Sequence, residues 1–292
     1  MGYQKILVPL DGSDLAERAI PYARTISQMK GSEVVLFTVS RASGEKIDLP
    51  MQAYLDIKGK ELEVQRVKTS TALAYGNEAE EIIEFADQNK IDLLIISTHG
   101  HSGIKRWLLG SVANKLLSGT SVPVLLVKSR AHQVASVAIE KILVPLDGSP
   151  PPETSLRHIE ELVKGTEVEI FLLRVVEPVI LPTADFPAAI NSSEVYRLMA
   201  EEQQRAQKYL GDVTDIMASK GLKVRSQLAI GKAAESIVEA AEKENVDLIA
   251  MTTHGRTGVI RWVAGSVTSR VQGESRQPVL LIRPSTSEEQ ST

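Results

Sequence analysis

Short runs of aliphatic and β-branched residues alternate along the first half of the chain with longer stretches that are apolar on one helical face. The runs have the length of strands and the stretches that of helices. We predict strands at residues 5–9, 33–39, 67–74, 92–96 and 122–127. We predict helices at residues 13–29, 51–65, 78–88 and 110–117. This alternation favours a parallel sheet covered by helices on both faces.

Residues that begin and end helices stand near the predicted boundaries. Ser13 and Asn77 occupy N-cap positions, where a short polar side chain can accept a backbone hydrogen bond. Gly31 and Gly119 stand just past predicted helix ends, where glycine tolerates a left-handed backbone.

The whole pattern occurs twice. The sequence KILVPLDGS at residues 5–13 returns unchanged at residues 141–149, and the segment that ends at Gly100 matches the one that ends at Gly255. The offset between the copies grows from 136 to 155 residues, so the second copy carries about 19 extra residues between Val175 and Gly231. We predict an α/β domain at residues 1–128, a linker at 129–140, a second domain at 141–284 and a disordered tail at 285–292.

Composition narrows the class of protein. The net charge of -4 leaves no broad basic surface, so we expect no nucleic-acid partner. The chain has no cysteine, which excludes disulfides and thiolate metal sites. Because the N-terminus lacks a signal-peptide pattern and no apolar run approaches the roughly 20 residues of a membrane span, we expect a cytoplasmic protein without membrane contact.

Glycines follow the first and fourth predicted strands of each copy. The segments STHGHSGIKRWLLGSV, at 97–112, and TTHGRTGVIRWVAGSV, at 252–267, agree at nine of sixteen positions. Glycine lets a backbone approach a ligand closely, and a Gly-Ser pair that opens a helix leaves N–H groups for an anion. We therefore predict a phosphate site. Its spacing fits neither the P-loop nor the dinucleotide fingerprint.

These motifs resemble those of the universal stress protein family, over nearly the whole chain. The resemblance implies an α/β fold of two tandem doubly wound domains, each a five-stranded parallel sheet of order 3-2-1-4-5 with helices on both faces. The ATP-binding branch of the family has the pattern G-x2-G-x9-G-[ST]. It stands here as Ser97-x2-Gly100-x9-Gly110-Ser111 and as Thr252-x2-Gly255-x9-Gly265-Ser266, with a hydroxyl residue in place of each first glycine.

The resemblance implies that each half binds an adenine nucleotide, which is ATP or else AMP or ADP, with Mg²⁺ accompanying the phosphates. Asp11 and Asp147 would face the adenosine. The wall beside the adenine would be formed by Pro9, Val39, Pro145 and Val175. The phosphates would be surrounded by Ser97, Gly100, Gly103, Gly110 and Ser111, and in the second half by Thr252, Gly255, Gly258, Gly265 and Ser266.

The resemblance also implies that the two halves pair through their last strands, at 123–128 and 278–283, and it allows the tandem chain to form a homodimer.

Other interpretations of the same residues stay open. The Asp-Gly-Ser sequence also suits a plain turn and helix cap. His99 and His101 alternate as metal ligands can, but only the first is repeated, as His254, so a hydrogen-bonded loop histidine is the simpler interpretation. The Arg-Trp pairs that begin at Arg106 and Arg261 either contact phosphate or pack the loop against the next helix.

No set of nucleophile, base and orienting acid is evident, and no carboxylates are spaced to hold Mg²⁺ at a reaction centre. We therefore predict a nucleotide-binding, stress-response regulatory protein with at most slow hydrolysis. The alternative is a stress-induced interaction protein that acts through its dimerisation surfaces, which Ser97 and Thr252 favour. An ATP-dependent enzyme ranks last. The two sites need not be alike, because Arg174 stands where the first half has Thr38.

Overall fold

A computed structural model describes residues 2–40, 48–98, 110–128, 136–148, 153–178, 192–252 and 265–283. The predicted tail and residues 129–135 of the predicted linker lie outside these ranges. The first half consists of β1 (Lys5–Pro9), a 3-10 turn (Ala16–Ala19), α1 (Ile20–Lys30), β2 (Glu33–Ser40), α2 (Leu49–Val64), β3 (Thr69–Tyr75), α3 (Glu78–Gln88), β4 (Leu93–Thr98), α4 (Ser111–Gly119) and β5 (Val124–Lys128). The second half consists of β6 (Lys141–Leu146), α5 (Glu153–Val163), β7 (Glu169–Val176), α6 (Ser192–Ser219), β8 (Lys223–Ile230), α7 (Ala233–Lys243), β9 (Leu248–Thr252), α8 (Ser266–Glu274) and β10 (Val279–Ile282).

All ten strands form one sheet, in the order β3-β2-β1-β4-β5-β10-β9-β6-β7-β8. Each half is parallel throughout and has the order 3-2-1-4-5, which confirms the fold that the family resemblance implied. The halves meet where β5 pairs with β10, in an antiparallel register that places Leu125 opposite Leu280. The last strands therefore join the two halves, as the family resemblance implied.

Alternate strand residues pack against opposite helical layers. Ile6 and Val8 of β1 lie in a core with residues of α1, α2, α5 and α6, whereas Leu7 lies in a core with residues of α3, α4, α7 and α8. Because each core contains residues of both halves, the two halves bury their apolar side chains together. Among the helices of the described ranges, none has the length and apolarity that crossing a bilayer requires.

Two basic residues reinforce the junction between the halves. Lys128, which ends β5 and is 2% exposed, donates through Nζ to the backbone carbonyls of Gln272 (2.6 Å) and Ser275 at the end of α8. Arg283 follows β10 and donates to the carbonyl of Ser118 (3.2 Å) in the last turn of α4. A cation at a helix C-terminus satisfies carbonyls that have no partner in the helix. Each half thus caps the last helix of the other.

The structure corrects two boundary predictions. The helix predicted from Ser13 begins as the 3-10 turn, and α1 follows it. Gly31 does end α1, with a φ of 71°, but Gly119 is the last residue of α4 instead of the residue after it. A Cβ at Gly119 would collide with Ile83 of α3. Close packing of the two helices explains that glycine.

Much of the insertion in the second half lengthens a helix. α6 has 28 residues where α2 has 16. Leu55 of α2 and Leu210 of α6, which are 155 positions apart, are both fully buried. The extra turns of α6 therefore lie at its N-terminal end, which is the end near the carboxyl edge of the sheet.

Candidate functional site

The candidate site lies where β1 and β4 are neighbours and the strand order reverses. Beyond β1, Asp11 and Ser13 form a turn: Asp11 Oδ1 accepts from the backbone N–H (3.0 Å) and the hydroxyl (2.6 Å) of Ser13. Ser13 Oγ in turn accepts from the N–H of Ala16 (3.2 Å), and Gly12 has a φ of 82°. The sequence thus forms a turn and cap. Asp11 is nevertheless exposed, and within the described part of the chain its second carboxylate oxygen accepts no hydrogen bond.

The two helices whose N-terminal ends form the predicted phosphate sites, α4 and α8, start with the same backbone geometry. Gly110, the N-cap of α4, has φ and ψ of -57° and 156°, and Gly265, the N-cap of α8, has -53° and 157°. Neither helix has a side-chain cap or an acidic residue in its first turn, whereas the first turn of α3 contains three glutamates. The N–H groups and the positive end of the helix dipole at α4 and α8 are therefore suited to an anion.

Glycine at these N-caps has no conformational explanation. The backbone angles of Gly110 and Gly265 are open to any L-residue. A Cβ at Gly265 would meet no heavy atom of the described residues within 4 Å. Neither the backbone angles nor, at Gly265, the described neighbours require glycine, and the missing side chain leaves the first N–H groups of the helix accessible. The free N–H groups at the start of α4 and α8, together with the absence of a side chain at the N-cap, fit the phosphates of a nucleotide.

The wall predicted to face adenine is formed by the ends of the neighbouring strands. Pro9 and Val39 are half-buried, and in the second half Pro145 is half-buried and Val175 is 9% exposed. Next to Val39, the hydroxyl of Ser40 donates to Asp48 Oδ2 (2.6 Å), while Asp48 Oδ1 accepts from the N–H of Met51 (3.3 Å) at the start of α2. These bonds join the last residue of β2 to the start of α2.

The second half differs from the first beneath the Asp-Gly-Ser turn. The hydroxyl of Thr38 donates to the carbonyl of Leu10 (2.6 Å), and Arg174 Nη1 makes the corresponding bond to the carbonyl of Leu146 (3.4 Å). Arg174 Nη2 also lies 3.5 Å from a carboxylate oxygen of Glu202, on α6.

The strand residue is larger in the second half than in the first, and the facing helix residue is smaller. A Cβ at Gly148 would lie 3.2 Å from Arg174 Cζ, whereas a Cβ at the equivalent Gly12 would lie 3.6 Å from Met51 Cε. The residue 155 positions after Met51 is Ala206, which is buried. Arg174 therefore fills space in the second half that Met51 fills in the first.

This exchange predicts the behaviour of a double variant. Arg174→Thr should lower the free energy of unfolding by about 1–3 kcal/mol, since it leaves a cavity beside the turn. Ala206→Met alone should cost about 1–3 kcal/mol by overpacking. In the double variant, the introduced methionine side chain enters the space that Arg174 leaves, so urea denaturation should show a smaller loss than the two single losses combined. If the loss of the double variant equalled the sum of the two single losses, Arg174 and the introduced methionine would not occupy the same space.

A cavity of about 320 Å³ lies between the N-terminal ends of α3 and α4. It is lined by Gly76, Asn77, Glu78, Ala79, Ser111, Val112 and Lys115. Of these residues, the sequence motif pointed to Ser111 alone. The i, i+4 spacing of Ser111 and Lys115 was the signal that could have added the lysine.

Asp147 follows β6 and is half-buried, and Ser266 is the first residue of α8. The other predicted site residues fall into two groups. Ser97 and Thr252 lie at the ends of β4 and β9, and Ser97 Oγ is buried with no hydrogen-bond partner in the described ranges. The others lie outside the described residues, namely Gly100, Gly103, Gly255 and Gly258. So do His99, His101, His254, Arg106, Arg261 and the tryptophans beside the two arginines. In the part of the chain that is described, no three histidine, aspartate or glutamate side chains are placed to hold a metal ion.

Comparison with known proteins matches both halves of the chain to one protein family. The model of the family described as "Universal stress protein family" matches residues 2–128 and 138–283. One universal stress protein of Methanocaldococcus jannaschii is 33% identical over 144 residues, which are 49% of this chain and 82% of that protein. A second from the same organism is 31% identical over 160 residues, which are 51% of this chain and 97% of that protein. The crystal structure of a universal stress protein from Archaeoglobus fulgidus has a similar fold, with a TM-score of 0.72 and 20% identity over 97% of this chain and 99% of that one.

Proposed function

Because this chain belongs to the universal stress protein family in both of its halves, we propose that it is a regulatory protein that binds one adenine nucleotide in each half. The first site lies beyond the carboxyl ends of β1 and β4, and the second beyond those of β6 and β9. The start of α4 or α8 holds the phosphates. Asp11 or Asp147 accepts hydrogen bonds from the ribose hydroxyls.

The observation that carries this proposal is the pair of glycine N-caps. Gly110 and Gly265 have ordinary backbone angles, and Gly265 has open space around its missing Cβ. Helix N-terminal N–H groups without a side-chain cap bind phosphate well, and glycine keeps them accessible. The intact Gly-Ser of the family pattern stands at this place in both halves. Mg²⁺ would arrive with the nucleotide and offset the charge of its phosphates.

Binding accounts for the site better than turnover does. One carboxylate oxygen of Asp11 is committed to Ser13 through two hydrogen bonds, which favours a fixed acceptor over a general base. Hydrolysis by this protein is therefore slow at most, and the bound nucleotide acts as a signal.

Calorimetric titration of the nucleotide-free protein with ATP, AMP and cyclic AMP in the presence of Mg²⁺ tests the proposal. We expect saturable binding of ATP with two nucleotides per chain, and a melting temperature that rises with nucleotide concentration. A folded protein that binds none of the three would overturn the proposal and favour an interaction protein that acts through its surfaces.

A further inference from the structure

The cavity between α3 and α4 extends the first-half site along α4. Ser111, the first residue of α4, and Lys115, one turn later, both line it. Side chains on a helix lean toward its N-terminus, so the lysine extends over the turn that starts with Ser111. The cavity therefore combines a cation with the N–H groups at the start of the same helix.

Lys115 has no fixed partner in the described structure. Within the described ranges no carboxylate forms an ion pair with it, and its side chain is exposed on the cavity side of α4. Glu78 contributes a carboxylate to the cavity wall, but Glu78 has a polar partner of its own. An exposed lysine beside a helix N-terminus is available to an anionic ligand.

The equivalent residue of the second half is already paired. Arg270, 155 positions after Lys115, lies 2.8 Å from Glu235 and 2.8 Å from Glu274. The residue of the first half that corresponds to Glu274 is Gly119, so one of the two carboxylates has no counterpart there. The cation at this position is thus held by its own helix and by α7 in the second half, and in the first half it forms no ion pair within the described residues.

We propose that Lys115 binds the second and third phosphates of the nucleotide in the first half. The first-half site would then prefer ATP to AMP, while the second-half site has no such preference. This rests on the proposed function, because it assigns a specificity residue to one of the two nucleotide sites. In this proposal the phosphates beyond the first run from the N–H groups of Ser111 into the cavity that Ser111 and Lys115 both line. AMP has no group to reach it.

The test compares Lys115→Met with the matched variant Arg270→Met. Calorimetry at low and at moderate salt should show that K115M weakens ATP binding at one of the two sites by about tenfold, the value of one charge-assisted hydrogen bond. AMP affinity should change by less than about twofold. R270M should leave both affinities unchanged. The ATP affinity of wild type should fall more steeply with salt than that of K115M, because an exposed ionic contact is screened.

The possible results separate the two proposals. Suppose that wild type binds ATP at two sites. If K115M then lowers the affinities for ATP and AMP equally, or changes neither affinity, the proposed role of Lys115 is wrong but the nucleotide site stands. A tenfold loss for ATP in R270M would overturn the difference between the halves. If folded wild type binds no nucleotide, the proposed function fails and this inference fails with it.

Discussion

Gly110→Val is expected to abolish nucleotide binding in the first half, and Gly265→Val in the second, while the protein stays folded. The valine side chain would cover the N–H groups that start α4 or α8, where we place the phosphates. Each charge-assisted hydrogen bond lost costs about 1.5–3 kcal/mol. Loss of even one therefore weakens binding by about tenfold or more, and loss of several puts the site beyond detection.

The fold should tolerate these substitutions because neither glycine is required by its backbone. Gly110 and Gly265 have φ near -55° and ψ near 157°, which valine adopts without strain. Gly211, inside α6, resembles Gly265 in having no heavy atom within 4 Å of an added Cβ, so Gly211→Val serves as the matched control far from the predicted phosphates. All three variants should keep the circular dichroism spectrum of wild type.

Stoichiometry gives the clearest measurement. We expect two ATP per chain for wild type and for G211V, one for each single site variant, and none for the double variant G110V/G265V. Two ATP bound by the folded double variant would place the phosphates elsewhere. One ATP bound by wild type, with loss in one variant alone, would mean that a single half binds nucleotide.

The sequence was a good guide to the fold because a repeat can be seen without knowing the structure. KILVPLDGS marks β1 and β6, and the spacing of apolar runs located the strands of the first half to within about two residues. The strand order, however, came from the family resemblance. Periodicity shows that a strand is buried but not which strand lies beside it.

The site was predictable where short motifs fix the backbone, and less so where side chains from distant segments meet. The turn at Asp11 and the helix start at Gly110 follow from local sequence. The exchange between Met51 and Arg174 does not, because it depends on which helix covers which strand. The burial of Lys128 was equally hidden, since its acceptors lie more than 140 residues away in the sequence.

The continuous sheet predicts that the halves unfold together. Leu280 is 1% exposed and lies opposite Leu125 of the other half, within the core that contains residues of both. Leu280→Ala should therefore lower the free energy of unfolding by about 2–5 kcal/mol. Ile230→Ala is the matched control, because Ile230 ends the edge strand β8 and is 56% exposed. Its loss should stay below about 1 kcal/mol.

Tryptophan fluorescence distinguishes coupled from independent halves. The chain has one tryptophan in each half, Trp107 and Trp262, so Trp107→Phe and Trp262→Phe give proteins that report on one half at a time. Although Leu280 belongs to the second half, L280A should move the urea midpoint of both reporters equally, because the β5 to β10 pairing and the caps at Lys128 and Arg283 link the two halves. A shift confined to the protein that retains Trp262 would show that each half unfolds alone. The shared sheet would then be a docking contact between two independent domains instead of the centre of one cooperative unit.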